Sequence, residues 1–344
     1  MLGEGVGEPS TATVHNETPA LAASWYPVAL ASEVGDQPVA VRLLGRRWVL
    51  VRLGDGLAAF PDKCPHRLYP LSAGCVVDGR LRCGYHAWEF GPDGTCVHIP
   101  SLTDGTPITP RAHLDRPFGL VERYGAVWMA PEEPRTPFVD FTEWADDTFE
   151  VRIDAPVRTT ASAFQAMDNF CDTSHFLSVH AGTFGGGGTE LVHPRSVTRD
   201  GWTVTGTYDA PYTVLDDPRV IAGDLPAVQP SVQTKTYWPA TAMLLRMHFP
   251  LSESTFSVLL CAQPETRDST RIYRWWARDD IVGDEARWAD CLEVEAAVMA
   301  EDLRTFAGYV DDEVPLDLTR EVHVAADKLS LGYRRILAEL VNRG

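Results

Sequence analysis

Two short loops, CPHR at 64–67 and CGYH at 83–86, each set a cysteine and a histidine within three residues of one another, with sixteen residues between His66 and Cys83. Both loops are flanked by Pro and Gly, so the four side chains Cys64, His66, Cys83 and His86 can face each other across two turns. Two soft sulfurs and two imidazoles are a metal-binding set. A tetrahedral zinc accepts these donors. So does a [2Fe–2S] cluster with the cysteines on one iron and the histidines on the other, where neutral imidazoles raise the reduction potential. Donor softness leaves both metals open.

The segments around the loops predict a small all-β domain. VAVRLLGRRWVLVRLGDGLAAF (39–60) and FGLVERYGAVWMAPEEP (118–134) read as short Val- and Leu-rich strands broken at turn residues. The Pro/Glu stretch at its end predicts a boundary, with a flexible tail at 1–24, a β domain at 25–133 and a second domain at 134–344. The second domain predicts an α+β fold. Strand-like runs such as VQTKTYWP, AMLLRMHFP, TFSVLLCAQP and RIYRWWAR form an antiparallel sheet, flanked by helices at EARWADCLEVEAAVMAEDLRTF and AADKLSLGYRRILAELV. Seven cysteines, an odd number in a 344-residue chain without a signal-like N-terminus, predict reduced thiols and a cytoplasmic location. A net charge of −18 argues against nucleic-acid binding and against anionic membranes. No apolar run is long enough for a membrane span.

A second cluster of metal-type side chains lies in DNFCDTSHFLSVH. Asp168, Asp172 and His175 stand at i, i+4 and i+7, one face of a helix, and His180 follows where the chain can turn back. Two histidines and one carboxylate on one side of an iron leave the opposite positions open. Of the remaining histidines, His98, His113, His193, His248 and His323 read as ordinary surface or core residues, with His248 on a strand that could line a cavity. GTFGGGGTE after His180 lacks the ending of a phosphate loop and reads as a flexible loop and candidate cavity lid.

The order C-x-H-R, C-x-Y-H-x-W-x-F and DGTC resembles Rieske iron–sulfur domains, in particular those of Rieske non-haem iron oxygenases, over most of the first domain. The N-x-x-D-x-x-H-x4-H run resembles the mononuclear iron motif of the same enzymes. The resemblance implies a [2Fe–2S] cluster on Cys64, His66, Cys83 and His86, and one Fe2+ on His175 and His180. It further implies a bridging carboxylate in Asp172, a near-iron asparagine in Asn169, and a third ligand from a C-terminal helix. In VMAEDLRTF that ligand is Asp302 in preference to Glu301; Asp290, Glu293 and Glu295 compete with it, and most of these acids read as solvated. Respiratory Rieske proteins carry an extra disulfide-bonded cysteine in each loop. Tyr69 and Tyr85 stand there instead, which implies the lower-potential oxygenase type, and Cys75 and Cys96 read as packing thiols.

Members similar to vanillate demethylase or steroid hydroxylases are homotrimers that hydroxylate or demethylate small organic substrates with O2. No G-x-G-x-x-G follows a strand, so NAD(P)H chemistry is expected in a separate reductase, with or without a ferredoxin. The aromatic- and Met-rich second domain suits an aromatic, polycyclic or natural-product substrate. The alternative is a Rieske-type electron-transfer protein without oxygenase activity, which needs no second metal.

Overall fold

The computed structural model describes residues 13–187 and 194–342, so His193 and the end of the glycine-rich loop lie outside the described residues. The chain divides into two compact units, one from Ala22–Pro137 with Gln263–Arg267, the other from the remaining segments.

The first unit is built from three small sheets. One is Val39–Leu43, Arg46–Leu53 and Gly56–Pro61; another runs through Cys75–Val77, Arg80–Arg82, Glu89–Phe90 and Cys96–His98; the third is Gly119–Arg123, Ala126–Ala130 and Tyr26–Leu30. Three of the hairpins turn on a residue followed by glycine, Leu44-Gly45, Asp78-Gly79 and Tyr124-Gly125, all with positive φ at both positions. That is the turn whose twist matches the strands it joins. Val49, Val51 and Leu53 alternate inward and pack with Phe60, Leu71, Leu81, Phe90 and Leu114. Cys64 and Cys83 sit in this same core, and Cys96 packs there as a buried thiol. The described cysteines are all free.

The second unit centres on an eight-stranded sheet. Its order is Glu150–Ile153, Ser269–Arg278, Ser254–Thr266, Ala242–Phe249, Val228–Trp238, Thr203–Thr213 and Ser196–Asp200, with Val157–Thr159 also paired to Ser269–Arg278. The described helices are α1 (Ala163–Cys171), α2 (Phe176–Val179), α3 (Pro218–Ile221), α4 (Glu285–Phe306) and α5 (Lys328–Asn342). None is long and apolar enough to cross a membrane. α1 starts at a capping box: Gln165 N–H donates to Ser162 Oγ, and Ser162 N–H donates to Gln165 Oε1. Its buried face carries Phe164, Met167 and Cys171.

The structure corrects the reading of 1–24 as a flexible tail for residues 13–24; residues 1–12 lie outside the described residues. Thr13–His15 forms a strand on Glu313–Pro315, and Val14 and Leu21 are fully buried. Asn16, also buried, accepts from Ala163 N–H and donates to Ser269 O and Thr270 Oγ1, fastening the start of α1. A few apolar side chains between polar ones suffice for this because their partners come from some 300 residues away, which local patterning cannot reveal. The units also part at 137/138 rather than at 133/134.

Candidate metal centres and active site

The two Cys-His loops are built alike. In each, the cysteine N–H donates to the carbonyl five residues on, Cys64 to Tyr69 O and Cys83 to Trp88 O. In each, the N–H four residues on returns to the cysteine carbonyl, Leu68 to Cys64 O and Ala87 to Cys83 O. Leu68 and Ala87 adopt positive φ, 56° and 54°, to make that turn. Gly84 presses against the neighbouring loop so closely that a Cβ would stand 2.5 Å from Ala73 O. Asp62, buried, braces the first loop by accepting from Ser72 N–H, Ser72 Oγ and Arg47. The result brings the His66 and His86 rings to 4.4 Å, with His66 stacked on Trp88.

Burial, with Cys83 alongside, pushes the Cys64 thiol up to about 11, a cost that metal binding removes by taking the thiolate. His66 Nδ1 is buried without a hydrogen-bond partner. Two thiols, two imidazoles and an unpaired ring nitrogen at one spot fit a [2Fe–2S] cluster.

In the second unit, α1 does not continue through His175, as the i, i+4, i+7 spacing predicts. It stops at Cys171, and Asp172 turns to extended backbone with ψ 153°. Asp172 itself causes the break: Oδ1 accepts from Ser174 N–H and Oδ2 from His175 N–H, an alternative to the helical ladder. Lys235, buried under the break, donates to Phe170 O at 2.9 Å and Asp172 O at 2.6 Å. Asp168 lies off the site and pairs with Arg334. α2 then carries the chain from His175 to His180. Gly185 N–H closes the next turn on His180 O, where a Cβ would meet Phe176 O at 2.0 Å.

His175, His180 and Asp302 converge, with one donor atom from each within 4.8 Å of the others. Asp302 Oδ1 is 3.4 Å from His180 Nε2 and 3.9 Å from His175 Nε2, and has no hydrogen-bond partner. The other ring nitrogens are held by carboxylates: His175 Nδ1 by Asp172 Oδ2 at 3.1 Å, His180 Nδ1 by Glu301 Oε2 at 2.9 Å. A carboxylate only accepts, so each imidazole keeps its proton on Nδ1 and turns the Nε2 lone pair toward Asp302. Burial would raise Asp172, but the His175 and Ser174 hydrogen bonds outweigh it and hold the carboxyl well below its usual range. Two lone pairs and an unpaired carboxylate oxygen, buried together, fit a cation.

Glu301, the alternative for the third ligand, therefore holds the far side of His180 and also accepts from Thr183 Oγ1. Sequence reading missed this role. The signal was available in its place beside Asp302, since consecutive helix residues point about 100° apart and cannot face one target from the same side.

The trio sits in the wall of a cavity. Strand alternation supplies its lining: Met243, Leu245 and Met247 from one strand, and Phe256, Val258 and Leu260 from the next. His248 falls on the opposite face of its strand and is exposed, so the strand lines the cavity and His248 does not. Phe184, in the described part of the glycine-rich loop, lines the cavity, as does Asn169, whose Oδ1 is buried without a partner. Of the other helix acids that compete for the third-ligand role, Asp290 and Glu293 are exposed and Glu295 is buried.

Residues 24–112 match the Rieske [2Fe-2S] domain family, and residues 159–343 match the vanillate O-demethylase oxygenase C-terminal domain family. The chain is a Rieske non-haem iron oxygenase. Members of this family work with a [2Fe–2S] cluster and a mononuclear Fe2+, and those are its cofactors. This Rieske oxygenase is 29% identical over 340 residues to methylxanthine N1-demethylase NdmA of Pseudomonas putida, covering 96% of this chain and 92% of that one. Dicamba O-demethylase, oxygenase component, of Stenotrophomonas maltophilia is 34% identical over 165 residues, 46% of this chain and 47% of its own. The structure of NdmA from Pseudomonas putida CBB5 with caffeine superposes with a TM-score of 0.80 at 26% identity, covering 95% of this chain and 96% of that one.

Proposed function

We propose that this Rieske oxygenase is the terminal component of a multicomponent system. It takes electrons from a separate NAD(P)H reductase, with or without a ferredoxin, and uses O2 to hydroxylate or oxidatively demethylate an aromatic, polycyclic or natural-product substrate. The observation that carries this reading is the convergence of His175 Nε2, His180 Nε2 and Asp302 Oδ1 in the wall of an apolar cavity. An electron carrier would leave that trio and its cavity without a role.

In this reading Cys64, Cys83, His66 and His86 hold the cluster, and His175, His180 and Asp302 hold the iron. Iron bound there supplies one-electron chemistry toward O2 beside the substrate. The chain's own part is positioning and exclusion. Asp172 and Glu301 fix which nitrogen of each histidine is protonated, and so keep both Nε2 lone pairs aimed at one point. Asp302 adds a negative charge that balances a divalent cation. Met243, Met247, Val258, Leu260 and Met299 keep water away from the reacting carbon. The Asp172 carboxylate, a quarter exposed, can be reached from outside the unit. This supports the homotrimer implied by the resemblance, in which Asp172 meets His86 of a neighbouring copy.

The test is metal content of anaerobically purified protein. About three irons per two acid-labile sulfides are expected, falling to about two in His175→Ala. Two irons in both proteins after addition of ferrous iron would leave an electron carrier. Zinc without sulfide would remove the oxygenase reading altogether.

A further inference from the structure

We propose that Glu295 is the polar anchor of the cavity and selects substrates that carry a hydrogen-bond donor, N–H or O–H, at the end remote from the carbon that is oxidised. This deepens the reading above and rests on it for the location of the oxidising site.

Glu295 is 8% exposed and lines the same cavity as His175, His180 and Asp302. Its carboxylate has no hydrogen bond or ion pair among the described residues; the neighbouring Arg274 guanidinium donates instead to the Glu295 backbone carbonyl and to Asp154. Of the other charged groups of the lining, Arg274 keeps only Nε without an acceptor. Lys235 Nζ is bound to the carbonyls of Phe170 and Asp172, and the metal trio faces inward on itself. On its far side Glu295 borders a cleft with Arg278, but that guanidinium is taken by Asp216 and Asp280. Glu295 is thus a charged acceptor of the lining left without a donor, as Asn169 Oδ1 is a neutral one.

Leaving such a group unpaired in an apolar wall is costly unless a ligand completes it. Burial pushes its carboxyl up to about 7, against the pull of Arg274, the signature of that missing partner.

The helix sets the distance. Glu295, Met299 and Asp302 stand at i, i+4 and i+7 on α4, so they share one face. Seven residues at 1.5 Å separate Glu295 from Asp302 by about 10 Å along the axis, the length of a one- or two-ring molecule. Met299 and Val298 lie between them as an apolar floor. A substrate donor bound at Glu295 therefore leaves its opposite end at the metal trio.

The test uses two isosteric probes, 5-methoxyindole, which has the N–H donor, and 5-methoxybenzofuran, which lacks it. Binding to the iron-loaded, cluster-bearing enzyme is measured by anaerobic calorimetry. The wild type is expected to prefer the indole by about tenfold or more. Glu295→Leu should abolish that preference without weakening the benzofuran, and Glu295→Gln, which still accepts, should keep part of it. Iron and sulfide per chain, unchanged in both variants, show that the site is intact. A wild type that does not discriminate, a preference that survives Glu295→Leu, or failure of the wild type to bind either probe overturns the proposal. Formaldehyde release with a reductase separates the two readings. A clear preference without formaldehyde sinks the oxygenase reading alone, and equal release and binding of both probes sinks the anchor alone.

Discussion

Asp172 does two things with one side chain. Its oxygens end α1 by taking the N–H groups of Ser174 and His175, and Oδ2 also holds His175 Nδ1. Because the same carboxylate shapes the backbone and fixes the tautomer, its charge can be removed while its acceptor oxygen is kept. Asp172→Asn should retain iron and cluster at wild-type content and lose substrate-dependent O2 consumption by about tenfold to a hundredfold, the range for removing a carboxylate behind a ligand histidine. Normal discharge of the reduced cluster in this variant, on adding substrate and O2, would mean that Asp172 is a helix cap and nothing more. Glu301 shows how a neighbour in sequence takes a different job in space, since it reaches His180 Nδ1 while Asp302 faces Nε2.

The paired turns that carry Cys64 and Cys83 depend on backbone conformation more than on side-chain identity. Each needs a left-handed residue four places after its cysteine, and Leu68 and Ala87 accept that strain where glycine would be expected. What the loops do demand of glycine is space. Gly84→Ala would drive a methyl group into Ala73 O, overpacking that costs about 1–3 kcal/mol. Sulfide per chain should fall by half or more while iron bound at the histidine-carboxylate trio stays. Full cluster content in Gly84→Ala would show that the loops can separate without harm. α4 illustrates the reverse case, where side-chain spacing says most. Trp288, Cys291, Glu295, Met299, Glu301, Asp302 and Phe306 are its buried residues, so three acids lie where apolar residues are usual. The spacing is written in the sequence, but which of the helix acids are buried on it emerges only from the folded structure.

Stability of the second unit against acid follows from its buried ion pairs. Glu143 is held by Arg246 through Nε at 2.6 Å and Nη2 at 2.9 Å. Burial alone would raise its carboxyl, yet the Arg246 hydrogen bonds prevail and lower it below 4.5. A carboxyl depressed in the folded state contributes stability in full above its unfolded pKa, and that contribution fades as pH falls through the folded value. Glu143→Gln should therefore cost about 2 kcal/mol at pH 7 and progressively less below about pH 4, read from urea unfolding at both pH values. A deficit that is the same at both would mean the pair's charge is not what stabilises the fold.

The candidate metal sites of this chain were legible in its linear order because the proposed ligands must be particular atoms. No other residue types replace Cys64, His66, Cys83 and His86 at those spacings, and His175 and His180 lie five apart on one short segment. The sheet was legible for a similar reason, since strand alternation is written locally. Three things were decided by tertiary structure alone. The strand at Thr13–His15 needed a partner at Glu313–Pro315. The end of α1 depended on whether the Asp172 carboxylate or the helical ladder captured two N–H groups, a balance tipped further by Lys235 from a distant strand. The unpaired state of Glu295 depended on Arg274 being engaged elsewhere. Each is a competition among groups far apart in the chain, and its outcome exists only once they are brought together.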